Sequence, residues 1–214
     1  MIEFFTEADI RRKVSMKQAI GLMKEAFVQL STHSASVPIR TVIPSSDNSG
    51  CALYMPSYST TYQLFGLKMV SVFNKNVERG MPAIQGNMLI MDGKNGAPLA
   101  LLEAEYLTSL RTGAASGLAT DLLAREDAHV LAIFGSGTQA ESQLEGVLSV
   151  REITKVIVFG RTRESVTSFC KRMSEKFSIE IRPANSPEEL SQADIICTAT
   201  TSSTPVFESQ YVKA

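Results

Sequence analysis

The sequence predicts an α/β protein: an N-terminal α+β unit followed by a Rossmann-type, doubly wound unit. Three observations carry this. From Val130 onward, apolar strand-like runs alternate with helical patterns, as in a parallel sheet covered on its faces. The first of those strands runs directly into Gly135-Ser136-Gly137-Thr138-Gln139-Ala140. In the first hundred or so residues, by contrast, one helix is followed by short extended runs with turns between them, which suggests an antiparallel sheet.

Taken in order, Ser15 opens the first helix with Gln18 at capping-box spacing, and Met16, Ile20, Met23, Phe27 and Leu30 then mark one face as far as His33. Val37 to Pro44 carries prolines and β-branched residues and is expected to be extended. Ser45 to Gly50 is turn material. Strands are predicted at Ala52 to Met55, Leu64 to Phe73, Asn87 to Met91 and Pro98 to Glu103, with a turn at Asp92-Gly93-Lys94-Asn95-Gly96. A helix follows from about Glu105 to Leu123. Gly113-Ala114-Ala115-Ser116-Gly117 at its middle costs helix propensity, which points to close approach by another backbone. Beyond it come strands at Val130 to Phe134, Lys155 to Phe159, Ile179 to Arg182 and Ala193 to Thr198. The helices between them are Thr138 to Val150, Arg163 to Phe177 and the short Pro187 to Gln192. The domain boundary is expected near residue 115, giving domains 1–115 and 116–214.

Composition narrows the function. Apolar residues are 44% and charged residues 20%, ordinary for a globular chain and unlike a disordered one. A formal charge of −1 without long charge runs suggests no nucleic-acid partner, and no apolar stretch is long enough to span a membrane. Met1 to Phe5 lacks a basic region followed by an apolar core. Cys51, Cys170 and Cys197 are therefore expected to be reduced thiols in a cytoplasmic protein. Neither His33 nor His129 falls in a metal or triad pattern, so no metal site is expected.

The Gly-x-Gly-x-x-Ala run is read as a dinucleotide site. Gly135 allows the tight turn, Gly137 lets the backbone approach a pyrophosphate, and Ala140 lets helix and strand pack closely. The exposed N–H groups of the helix opening at Thr138 would meet the phosphates. The next strand ends in Phe159-Gly160-Arg161-Thr162, where an NAD enzyme commonly places an acid for the ribose hydroxyls. Arg161 suits a 2′-phosphate instead, so NADP is favoured, with NAD possible. Thr198, Ala199 and Thr200 follow the last strand and are candidates for the nicotinamide side, or turn residues. Lys68 lies in Phe65-Gly66-Leu67-Lys68-Met69-Val70-Ser71-Val72-Phe73, where apolar residues occupy both faces. It is either a proton-transfer group or an edge-strand lysine that blocks aggregation. Arg40 and Arg111 are either surface charges or, with Lys68, a cationic set for a carboxylate.

Several stretches resemble the ornithine cyclodeaminase/μ-crystallin family, in order along nearly the whole chain: Met55-Pro56-Ser57-Tyr58, Gly66-Leu67-Lys68-Met69-Val70-Ser71, Gly96-Ala97-Pro98-Leu99-Ala100, Leu107 to Ala115 and Gly135 to Ala140. The resemblance implies a dimeric enzyme with a substrate-binding, dimerising first domain and a Rossmann second domain. It implies hydride transfer at the α-carbon of an amino, imino or keto acid. Arg40, Lys68 and Arg111 match the family's carboxylate-binding set, Lys68 also the proton-transfer position, and Thr112 a position close to the cofactor phosphates. Gly160-Arg161-Thr162 resembles the NADPH-binding turn of the μ-crystallin branch. Leu53 stands where ornithine cyclodeaminase has a glutamate for the substrate's side-chain amine, which speaks against ornithine. The resemblance also implies that the C-terminal part of the Rossmann domain, with the family's catalytic aspartate, falls beyond Ala214 and is missing from the chain. A reductase of a cyclic ketimine or α-imino acid, such as pyrroline-2-carboxylate, is therefore expected. The alternatives are ornithine cyclodeaminase, alanine dehydrogenase and a noncatalytic NADPH-dependent ligand-binding protein.

Overall fold

The structure is a computed structural model that describes residues 2–213. The chain forms two compact units, one of Met1–Ser15 and Leu22–Thr108, the other of Met16–Gly21 and Ser109–Ala214.

The first unit is built on a seven-stranded sheet. Its strands are β1 (Glu3–Phe5), β2 (Ala35–Ser36), β3 (Thr41–Pro44), β4 (Cys51–Ser59), β5 (Leu64–Val72), β6 (Ile84–Asp92) and β7 (Pro98–Glu103). The order is β1-β7-β6-β5-β4-β2, with β3 also on β4. Antiparallel pairing holds throughout except at one edge, where β1 runs parallel to β7. The sheet is therefore mixed, which corrects the antiparallel expectation. The sequence reading also missed β1 and the helix α1 (Glu7–Lys13), which opens on a capping box between Thr6 and Asp9. The helix expected to open at Ser15 is α2 (Met16–Ser31). The 3₁₀ turn Asn74–Arg79 ends at Gly80, whose φ of +69° favours glycine.

Strand pairing sorts the side chains of this sheet. Directly paired residues share a face. Phe4, Leu101, Leu89, Leu67 and Pro56 thus form one cross-strand row, and Phe5, Leu102, Met88, Lys68 and Met55 the row beside it on the opposite face. Both faces are apolar, yet no residue from Leu22 to Glu103 is fully buried.

The second unit holds a fully buried core. Strands β8 (Val130–Phe134), β9 (Lys155–Phe159), β10 (Glu180–Pro183) and β11 (Ile195–Thr198) form a parallel sheet in the order β10-β9-β8-β11. Helix α3 (Ala104–Leu123) starts in the first unit and runs into this one; α4 (Thr138–Leu148) connects β8 to β9, and α5 (Arg163–Phe177) connects β9 to β10. Leu131, Ile133, Leu144, Val156 and Phe169 are completely buried between them. The small residues of α3 have the expected cause. A Cβ on Gly113 would lie 2.1 Å from the Ser142 carbonyl oxygen of α4, and one on Gly146 only 2.0 Å from that of Gly113.

Candidate functional site

The strand order reverses at β8, because β9 lies on one side of it and β11 on the other. Ligands of such sheets sit beyond the carboxyl ends of the strands at that reversal. A cleft of about 990 Å³ opens there. That is the upper end of the usual range for ligand pockets, roughly 300–1,000 Å³. Its floor and walls come from Phe134-Gly135-Ser136-Gly137, Phe159-Gly160-Arg161-Thr162, Ser165, Pro187, Ala199 to Ser202 and Pro205 to Glu208, with Tyr211.

The glycine loop is shaped by contact on one side and space on the other. Gly135 has φ +111°, and a Cβ there would lie 2.3 Å from the Ala199 carbonyl oxygen. Its N–H donates to the Phe159 carbonyl at 2.8 Å, tying the turn to the end of β9. Gly137 is the N-cap of α4 and carries no side-chain cap, and a Cβ added to it would meet nothing within 4 Å. Backbone N–H groups at the start of α4 thus lack a side-chain partner on the side where space is open, a geometry that suits phosphate. Ala140 is fully buried, packed in the core with Leu144 and Val147.

At the second turn, a Cβ on Gly160 would lie 2.5 Å from Val166 Cγ2, so close packing at the start of α5 accounts for the glycine. Arg161 is exposed and lines the cleft. Arg163 turns away, and its Nη1 donates to the Ala184 carbonyl at 2.8 Å. Thr162 Oγ1 lies 2.6 Å from Ser165 Oγ and does not cap α5.

The structure thus brings Gly135, Ser136, Gly137, Gly160, Arg161, Thr162, Ala199 and Thr200 to one cleft. Thr138 and Gln139 open α4 but are not among the residues lining that cleft. Gln139 Oε1 is buried without a hydrogen-bond partner among the described residues. Thr198 lines a different cavity of about 510 Å³, with Thr120 and Gln143. Ser165, Pro187, Phe207 and Tyr211 line the same cleft and went unnoticed in the sequence. No spacing rule marks them, and only the path of the chain after β11 and the first turn of α5 brings them in.

Lys68 lies in β5, which is paired on both sides by β4 and β6, so the edge-strand reading is excluded. It is half-buried, with Met55 and Met88 directly opposite and Val70 two residues along on the same face. Arg40 is exposed and immediately precedes β3. Arg111 is exposed on α3 and Thr112 beside it is half-buried. Among the described residues, no cluster of three or more His, Cys, Asp or Glu side chains is arranged to hold a metal, and no helix is long and apolar enough to cross a membrane. Burial pushes the thiols of Cys170 and Cys197 up to about 11, so both behave as small apolar side chains.

The profile of the ornithine cyclodeaminase/mu-crystallin family matches residues 2–214. A Delta(1)-pyrroline-2-carboxylate reductase of Bacillus cereus is 41% identical over 207 residues, covering 95% of this chain and 63% of that protein. Among solved structures, the Thermococcus litoralis Delta(1)-pyrroline-2-carboxylate reductase in complex with NADH and L-proline superposes with a TM-score of 0.92 at 38% identity, over 99% of this chain and 66% of that one. An archaeal alanine dehydrogenase dimer with bound NAD gives 0.90 at 30% identity, over 99% and 64%. The chain spans a little under two thirds of each of these proteins.

Proposed function

The chain belongs to the ornithine cyclodeaminase/mu-crystallin family, and from that premise we propose that it serves the NADPH-preferring reduction of a small cyclic ketimine or α-imino acid, pyrroline-2-carboxylate first among them. The observation that carries the substrate assignment is the sheet face around Lys68. Leu53, Met55, Val70 and Met88 share that face and offer no carboxylate to a side-chain amine. A diamino acid such as ornithine would leave its distal ammonium unpaired there. A cyclic ketimine has no such group.

When bound, NADPH supplies the hydride that reduces the C=N bond at the α-carbon. Lys68, or a water it orients, delivers the proton to the imine nitrogen, so the product is the amino acid and the oxidised cofactor. Arg40 and Arg111 are assigned to the substrate carboxylate. Alternation from Val42, which pairs with Leu53, turns Arg40 toward the same face as Lys68. Thr112 is assigned to the cofactor phosphates. In support, Gly113 beside it lies against the α4 backbone at Ser142, one turn from the start of that helix. Arg161 is assigned to the 2′-phosphate, which favours NADPH over NADH. The domains are assigned as 1–115 for substrate and 116–214 for cofactor. The working form is assigned as a homodimer, supported by the half-covered sheet of the first unit and by the dimeric archaeal relative.

The test is cofactor consumption with pyrroline-2-carboxylate. One NADPH lost per proline formed is expected, with NADH about tenfold poorer, the worth of one charge-assisted contact. Ammonia and proline from ornithine without net cofactor change would contradict the reading. Tight NADPH binding without turnover on any imine would favour a ligand-binding protein instead.

A further inference from the structure

We propose that Ser165, in the first turn of α5, selects a 2′-phosphorylated dinucleotide together with Arg161, and that Arg163 takes no part. This rests on the NADPH reading above. Three hydroxyls converge on one point at the end of β9. Ser165 Oγ donates to the Thr162 carbonyl oxygen at 3.1 Å. A hydroxyl carries a single hydrogen, so Ser165 Oγ must accept the two neighbouring hydroxyls. These are Thr162 Oγ1 at 2.6 Å and Ser136 Oγ at 3.3 Å. All three residues line the cleft beside Arg161.

The composition of this group matches one ligand chemistry. A ribose diol is best held by an acceptor, the role a carboxylate plays in NAD sites. A phosphate monoester presents acceptor oxygens and is held by donors. Ser165's own hydrogen is held only by the 3.1 Å bond to the Thr162 carbonyl, longer than an ordinary O–H···O bond, so it can turn outward to a phosphate oxygen while Ser165 Oγ goes on accepting from Thr162 and Ser136. With the guanidinium of Arg161 it supplies donors from the second turn and the first turn of α5 together. Among the described residues lining the cleft the only carboxylate is Glu208, which accepts from Gln210 Nε2 at 2.9 Å. Arg163 is two residues from Arg161 and is the obvious second cation by sequence, but it is not among the residues lining the cleft, and its Nη1 donates to the Ala184 carbonyl at 2.8 Å.

The test is calorimetric titration of the chain with two probes, 2′,5′-ADP and 5′-ADP, in the wild type and in Ser165→Ala, Ser165→Thr and Arg163→Ala. Thermal melts confirm that each variant folds. The wild type is expected to prefer 2′,5′-ADP by at least tenfold. Ser165→Ala should lose roughly tenfold for 2′,5′-ADP and less than twofold for 5′-ADP, Ser165→Thr should restore most of that, and Arg163→Ala should leave the ratio unchanged. Equal loss for both probes in Ser165→Ala, or collapse of the ratio in Arg163→Ala, would overturn the assignment. Binding of 5′-ADP with no gain from the 2′-phosphate would overturn it while leaving the dinucleotide cleft standing. Binding of neither probe would remove the cofactor reading, and this assignment with it.

Discussion

The two units solve the problem of apolar burial differently. In the second, leucine, isoleucine, valine and phenylalanine from β8, β9, α4 and α5 reach zero exposure around one parallel sheet. In the first, a larger sheet carries apolar rows on both faces, and nothing from Leu22 to Glu103 is fully buried. Phe4 is 54% exposed and Ile84 51%. A cleft at strand ends, such as the one assigned to the cofactor, needs a rigid frame that a single chain can supply. A sheet face as exposed as that of the first unit needs cover from elsewhere, and that fits the assigned dimer.

The sharpest way to break this contrast is the same substitution on both sides. Leu144→Ala, in the buried core of the second unit, should cost about 3 kcal/mol in urea unfolding. Leu89→Ala, in the half-covered sheet, should cost about 1 kcal/mol at low protein concentration and more as concentration rises and copies pair. Equal costs independent of concentration would dissolve the distinction. Next in size is the helix crossing. Gly146→Ala would place its methyl against the Gly113 carbonyl and should cost about 2 kcal/mol, whereas Gly21→Ala, with open space around it, should be neutral or slightly stabilising. A Gly146→Ala protein that melts like the wild type would show that α3 and α4 have room to part.

The smallest expected effect is electrostatic. Burial raises the Asp194 carboxyl, but the N–H groups of His129 and Val130, with Lys213 and Arg125, outweigh it and hold it below its ordinary value. A folded-state value below the unfolded one means stability that is full above the unfolded value, near pH 4, and drains as pH falls through the folded one. Asp194→Asn should therefore cost about 1 kcal/mol at pH 6 and progressively less as the pH falls below about 4. A pH-independent difference would show that the carboxylate's charge is immaterial there.

How much of this was legible in the sequence follows the same division. Strand β8, the glycine turn and α4 announce themselves because local rules act on them together: an apolar run, a φ only glycine tolerates at Gly135, and a buried Ala140. The glycines of α3 likewise pointed to a close neighbour. In the first unit, β1 was missed because three residues show no period, and its parallel partner β7 lies almost a hundred residues away. The capping box of Thr6 and Asp9 was a usable signal for α1. Lys68 stayed ambiguous because alternation cannot tell an interior strand from an edge; only the pairing with β4 and β6 does. Ser165 lay outside the motif because its role depends on where the first turn of α5 meets the glycine loop.

Hydride transfer to the α-carbon of a ketimine is tested most directly by isotope transfer. With NADPH carrying deuterium at the transferable C4 position and pyrroline-2-carboxylate as substrate, the proline formed should carry one deuterium at its α-carbon, in step with NADPH loss. Proline free of deuterium, or no proline while NADPH binds unchanged, would contradict the account.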